Sequence, residues 1–161
     1  MKQAPRLLCD EMLMRLGRWL RAAGYDTGLA NNGESDRELF QRARREHRHL
    51  LTSDRKLLEY RHADGTVILL RGNALDEQVR ELGQRLPIDW LYRPLSRCLV
   101  CNTPLEDGAP AGLPIPDDID HNTLRHCPAC GRVYWQGSHS RRMRRQLEAW
   151  QEQTAAAPVG D

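Results

Sequence analysis

Four of the chain's five cysteines stand in two pairs, Cys98-Leu-Val-Cys101 and Cys127-Pro-Ala-Cys130, with 25 residues between the pairs. A two-residue spacer lets each pair wrap one side of an ion, and two such pairs make the closed tetrahedral four-thiolate site that zinc favours. Residues 98–130 must therefore fold back on themselves as a small zinc ribbon. Gly131, directly after Cys130, allows the tight turn that aims backbone amides at a thiolate sulfur. A four-thiolate site has no open coordination position, so it holds structure and any chemistry must lie elsewhere. His121, His126 and His139 lie near in sequence, but the thiolate set is already complete; Cys9, inside an apolar run, reads as a small core residue.

A second constraint lies at the other end of the chain. Leu7-Leu8-Cys9 is a buried-strand run that stops abruptly at Asp10-Glu11. From Met12 the period changes: Leu13, Leu16, Leu20 and Ala23 recur at steps of three and four, Gly24 is placed to cap the helix, and Arg15, Arg18 and Arg21 line a neighbouring face. The same alternation continues. Residues 25–30 read as a strand, and Ser35 with Glu38 forms a capping box opening a helix from Asp36 to about His47. His49 to Thr52 reads as a strand leading into Ser53-Asp54-Arg55, residues 55–60 as a short helix, residues 66–70 as the clearest buried strand, and Leu75 to Leu86 as an amphipathic helix ended by Pro87. Ile88 to Tyr92 is expected to add a last strand. Strands alternating with helices of this length indicate an α/β fold, a parallel sheet with helices on both faces, followed by the small zinc ribbon.

With 161 residues, the chain has room for one domain of about 100 residues and a small appendage. The composition shifts near Pro94, which places the sheet domain at 1–94, the ribbon with a basic carboxyl-terminal helix at 95–152, and an unpatterned, disordered tail at 153–161. Mean hydropathy is −0.68 and no apolar run reaches membrane-spanning length. The amino terminus lacks the long apolar stretch of a secretory signal, so the expected compartment is the cytoplasm, where cysteines stay reduced. A net charge of +2 is too small to imply a nucleic-acid partner by itself, but its distribution is uneven: Arg132 to Arg145 holds five arginines and no acid. No feature calls for a membrane or an obligate protein partner.

Asp10, Asp36 and Asp54 each lie at the carboxyl end of an expected strand or the start of the helix after one, and in a parallel sheet such positions converge on one edge. Carboxylates brought together repel unless a hard cation neutralises them, and magnesium or manganese takes oxygen ligands of this kind. Such a site can activate water and stabilise the charge that develops in phosphodiester cleavage. Taken singly, Asp36 suits a helix start and Asp54 suits a cap without any metal; the three together favour a metal site.

The combination CDEMLMRLGRWLRAAGYDT, Asp36 opening a helix, LLTSDRKL, CLVC and CPACGRVYWQGSHSRRM resembles the Mut7-C family of ribonucleases over nearly the whole chain. The resemblance implies a PIN-like metal-dependent endoribonuclease, a hydrolase, with a carboxyl-terminal zinc ribbon. Asp10, Asp36 and Asp54 match the family's acids. PIN nucleases commonly add a fourth acid from a helix between the first and third, and here Glu11 or Glu34 stands nearest to that role. Arg15, Arg18 and Arg55 are then candidates for contact with the RNA backbone. Around the ribbon, Arg132, Arg141 and Arg142 are interleaved with Tyr134, Trp135 and His139, a mixture of cations and aromatic faces that suits single-stranded RNA. Against this, Tyr134 and Trp135 can equally pack around the ribbon, and Met143, Leu147 and Trp150 can dock a final helix on the sheet domain. An alternative function is a non-catalytic RNA-binding or adaptor protein with an incomplete acid site.

Overall fold

Side chains alternate between the two faces of a strand, and in this chain both faces are apolar. Leu7 and Cys9 of β1 (Leu7–Cys9) and Leu51 of β3 (His49–Thr52) turn to one side, Leu8 and Leu50 to the other, and all five are fully buried. Strands of this kind need a layer of helix on each face. The computed structural model, which describes residues 3–156, has that arrangement. Its parallel sheet runs in the order β2-β1-β3-β4, with β2 at Thr27–Leu29 and β4 at Val67–Leu69.

The chain leaves β1 in one direction to reach β2, then crosses back over β1 to reach β3. Right-handed crossovers in opposite directions put the connecting helices on opposite faces. On one face α1 (Met14–Ala22) lays Leu16 and Leu20 over Leu7, Cys9 and Leu51, beside Val79 and Leu82 of α3 (Leu75–Arg85). On the other, α2 (Asp36–Arg45) brings Leu39, Phe40 and Ala43 against Leu8, Leu50 and Val67. The capping box at the start of α2 is present: the Ser35 hydroxyl accepts the Glu38 amide at 3.2 Å and the Glu38 carboxylate accepts the Ser35 amide at 3.0 Å. Gly24 ends α1 at φ +103°, and a Cβ there would lie 2.5 Å from the Arg93 carbonyl oxygen, so no other residue fits without displacement.

The stretch from Ile88 to Tyr92, expected as a strand, is not one. The Asp89 amide donates to the Tyr25 hydroxyl and the Trp90 amide to the Gln151 side chain, both at 2.8 Å, so side chains take the bonds a sheet edge would have taken. Its apolar residues Ile88 and Trp90 instead plug the core.

Beyond residue 94, β5 (Glu106–Asp107), β6 (Arg125–His126) and β7 (Val133–Tyr134) form a small antiparallel sheet, and α4 (Ser138–Ala156) then returns across the α1/α3 face. Leu147 and Trp150 of α4 are buried; the Trp150 indole meets Trp19 edge-on at 4.9 Å and Trp90 at 5.0 Å, and its N–H donates to Asp76 at 2.9 Å. The last helix thus completes the core of the sheet domain although it follows the ribbon. It runs through Ala156, so the tail expected from residue 153 is helical over 153–156, and residues 157–161 lie outside the described residues. Among the described residues no helix is long and apolar enough to cross a membrane.

Candidate active site and metal centre

The order β2-β1-β3-β4 reverses direction at β1, and ligands of open α/β sheets bind beyond the carboxyl ends of the strands at such a reversal. Asp10 leaves β1 there and Asp54 follows β3 by two residues. Thr52, fully buried at the end of β3, ties them together: its hydroxyl donates to Asp10 Oδ2 at 2.8 Å and accepts the Asp54 amide at 3.0 Å. Asp10, only 9% exposed, also accepts the Glu11 amide on Oδ1 at 2.7 Å, and Asp54 Oδ1 accepts the Lys56 amide at 3.0 Å. Asp36 arrives from the first turn of α2 on the other face. Burial, and after it the negative charges of Asp54 and Asp10 beside it, push its carboxyl above the usual range. Mutual repulsion of this kind is the electrostatic mark of carboxylates brought to one place.

The four cysteine sulfurs also gather, all within 4.8 Å of one another, and they are the one such group of potential metal ligands among the described residues. All are free thiols. The Cys98–Cys130 sulfur separation of 3.7 Å is close to the roughly 3.8 Å edge of a tetrahedron with 2.3 Å metal–sulfur bonds, while Cys101 and Cys127 stand closer, at 3.1 Å. The donor set can hold a metal such as zinc. Each pair is built the same way: the Cys98 amide donates to the Thr103 carbonyl and the Asn102 amide to the Cys98 carbonyl, while Cys127 and Gly131 repeat the pattern with Arg132 and Cys127. Both turns pass through the left-handed region, at Asn102 (φ 69°) and Gly131 (φ 78°). Near Cys101 Sγ, the Thr103 hydroxyl at 3.4 Å holds that thiol down to about 6, which favours the thiolate a metal needs. His121, His126 and His139 do not join the group.

Asn102 does more than turn the chain. Its side chain accepts the Thr27 amide at 3.0 Å and donates to Asp26 at 2.7 Å, fastening the first cysteine turn to the amino end of β2. Burial alone would raise Asp26, but hydrogen bonds from Arg48 and Asn102 hold it down at about 2. Arg21, read with Arg15 and Arg18 on the face beside the apolar stripe, is buried here: Nε donates to the Thr27 carbonyl at 2.8 Å and Nη1 to the carbonyls of Leu99 and Val100 at 3.0 Å. The cysteine centre therefore sits against the amino edge of the sheet, opposite the edge where the acids meet.

Arg15 and Arg18 are exposed on α1, Arg15 in its first turn next to the acid edge, and Arg55 is exposed one residue past Asp54. Arg132 is exposed beside the second cysteine turn, and Arg141 and Arg142 on the first turns of α4. Glu11 is exposed next to Asp10, whereas Glu34 is held by Arg42 at 3.1 Å and by the Asn31 amide at 2.9 Å, so it is engaged away from the three aspartates. Tyr134 is structural: its hydroxyl lies 3.1 Å from Cys98 Sγ and accepts the Leu99 amide at 3.1 Å. Trp135 stays 44% exposed. Sequence reading missed the parts played by Thr52, Arg21 and Asn102. For Asn102 a signal existed, since it stands one place after its cysteine pair, as Gly131 does.

Set against known proteins, residues 5–147 match the family model described as Mut7-C RNAse domain. The protein named "Exonuclease mut-7 homolog" of Homo sapiens is 31% identical over 104 residues, which are 62% of this chain and 12% of that protein. The chain thus spans a small fraction of that relative's length. No solved structure matches it.

Proposed function

From the premise that the chain belongs to the Mut7-C RNAse domain family, we propose that it is a magnesium- or manganese-dependent endoribonuclease with its active site at Asp10, Asp36 and Asp54. The observation that carries the reading is the convergence of these acids: Thr52 couples Asp10 to Asp54, and Asp36 is pushed up by burial and then by the charges of both. An all-oxygen, mutually repelling donor set fits a hard divalent cation. When bound, such an ion supplies Lewis-acid stabilisation and water activation for phosphodiester hydrolysis. The chain's own residues orient the donors. Thr52 and the Glu11 amide leave Asp10 little rotational freedom, and the Lys56 amide fixes Asp54. Glu11 is the acid available in a fourth position. Arg15, Arg18 and Arg55 offer exposed guanidinium groups for phosphates on either side of the cut.

Internal cleavage follows from the likeness of the acid pattern to PIN-like endoribonucleases. Asp10 is nearly buried, while Asp36 and Asp54 are half-buried and Glu11 is exposed beside Asp10, so substrate meets the site from their side. The cysteine centre is read as structural zinc that positions the ribbon, with Arg132, Arg141 and Arg142 meeting RNA away from the cut. Four free thiols suit a reducing compartment such as the cytoplasm.

The test is cleavage of linear and circular RNA with manganese, wild type against Asp10→Asn/Asp54→Asn. Linearised circles that disappear with the double variant are expected; cutting of linear ends alone would refute internal cleavage, and retained activity in the variant would refute the site. A second reading, an RNA-binding adaptor with an incomplete acid site, draws on the engagement of Glu34 by Arg42. It is favoured if RNA binds and neither protein cuts under any divalent ion.

A further inference from the structure

A cleft of about 740 Å³ lies between the ribbon and the first turns of α4. Its wall includes Leu95, Leu99 and Met143, which are apolar, and Trp135, Arg125 and Arg144. We propose that this cleft binds one unpaired RNA nucleotide, its base on the Trp135 indole and its phosphates on Arg125 and Arg144, as an anchor remote from the acid edge. The proposal rests on the RNA reading above and adds a defined place, with named base and phosphate contacts, for the single strand.

Three observations carry it. The first is the orientation of Trp135. Tyr134, the last residue of β7, turns inward to Cys98 and Leu99, while Trp135, one residue past the strand, faces outward. The indole lies against Gly137, where a Cβ would meet Nε1 at 3.1 Å and Cδ1 at 3.4 Å. A ring set in place by backbone but left 44% open is a prepared flat surface, whereas Trp90 and Trp150 are spent in the core.

The second is charge. Of the arginines on the wall, Arg97 is committed to the carbonyls of Gly24 and Asn102. Among the described residues, Arg125 and Arg144 have only surface partners, Asp107 at 3.6 Å and Glu148 at 3.5 Å. Exposed pairs of this kind are weak and are readily exchanged for a phosphate. An apolar protein segment laid here would strand both guanidinium groups; a nucleotide satisfies ring and charges together. The third is size: the volume falls within the range of small-ligand sites. A base locked in a duplex cannot present its face to the indole, so the occupant is unpaired.

Because Leu99 and Arg97 belong to the ribbon side, docked on the amino edge of the sheet, the anchor and the acids stand at opposite edges. An RNA long enough to reach both is held better than a short one.

The test uses the full zinc-loaded chain with Asp10→Asn/Asp54→Asn, so that RNA is bound and not cut. Affinity is read by fluorescence anisotropy for a single-stranded RNA of about 12 nucleotides, within the length one compact module covers, and for its duplex. Trp135→Ala should weaken single-strand binding on the order of tenfold to a hundredfold, Trp135→Phe should restore most of it, and duplex binding should be weaker and unchanged. Arg144→Gln should weaken single-strand binding in the same direction. Equal affinity of Trp135→Ala at equal zinc content overturns the proposal, as does a Trp135-dependent self-association with no effect on RNA, which would make the occupant a second copy. The two readings separate cleanly. Cutting by wild type with Trp135-independent binding sinks the anchor alone; Trp135-dependent binding without cutting by wild type sinks the nuclease alone.

Discussion

Replacing Thr52 by valine keeps the shape of a fully buried side chain and removes only its hydroxyl, which donates to Asp10 at 2.8 Å and accepts the Asp54 amide at 3.0 Å. The bond to a carboxylate is worth about 1.5–3 kcal/mol, and a part-buried amide left without an acceptor adds about 1 kcal/mol. The expected loss is about 2–4 kcal/mol. For a chain of this size each kcal/mol moves Tm by about 2–4 °C, so a fall of about 5–15 °C should appear by calorimetry. On the proposed function, cleavage should fall at least about tenfold, because Asp10 and Asp54 lose their common anchor and a small misplacement of a catalytic group is costly. Thr52→Ser is the control. It sacrifices one buried methyl, about 1 kcal/mol, but keeps both hydrogen bonds and should keep activity. A valine variant with unchanged Tm and full cleavage would refute the coupling of the two acids. A serine variant as damaged as the valine would show that the methyl, not the hydroxyl, matters.

At the acid edge, Asp36→Asn removes a charge that burial and two neighbouring acids disfavour; without divalent ions its Tm should equal or exceed that of wild type, while the Tm gain of wild type on adding manganese should shrink. The folded-state carboxyl of Asp36 lies above its unfolded value, so this residue alone makes the metal-free protein less stable as pH rises through its raised pKa, a dependence that Asp36→Asn should lack. Asp26 works in the opposite sense. Held at about 2 against an ordinary 3.8, it contributes stability above pH 3.8 that is lost as pH falls toward 2, and Asp26→Asn should flatten that part of the acid denaturation curve. Arg21→Met should cost about 2–4 kcal/mol by denaturant unfolding, since the carbonyls of Thr27, Leu99 and Val100 lose their shared donor; an unchanged midpoint would mean that the ribbon is not docked through it. Cys127→Ser should abolish stoichiometric zinc, measured with a chromogenic chelator, and lower Tm, because metal binding and folding of such a centre are one equilibrium.

The local elements of this fold were legible because their causes are local. Strands Leu7–Cys9 and His49–Thr52, the capping box at Ser35 and Glu38, the stop at Gly24 and the two cysteine pairs each depend on residues within a few positions of one another, and the structure carries all of them. The strand expected at Ile88 to Tyr92 failed for a non-local reason: its alternation was real, but Tyr25 and Gln151, both distant in sequence, took its amides. Arg21 and Arg18 look alike in a helical projection. Only the arrival of Leu99 and Val100 buries one of them and leaves the other in water. The candidate site divides in the same way. That acids follow strands could be read along the chain, whereas the Thr52 bridge, the raised Asp36 and the placing of the cysteine centre on the edge opposite the acids came from the tertiary structure. Periodicity and turn chemistry act between neighbours and so are written in the order of residues; burial and charge act on whatever the fold brings close, across as many as 79 positions in the case of Arg21 and Val100.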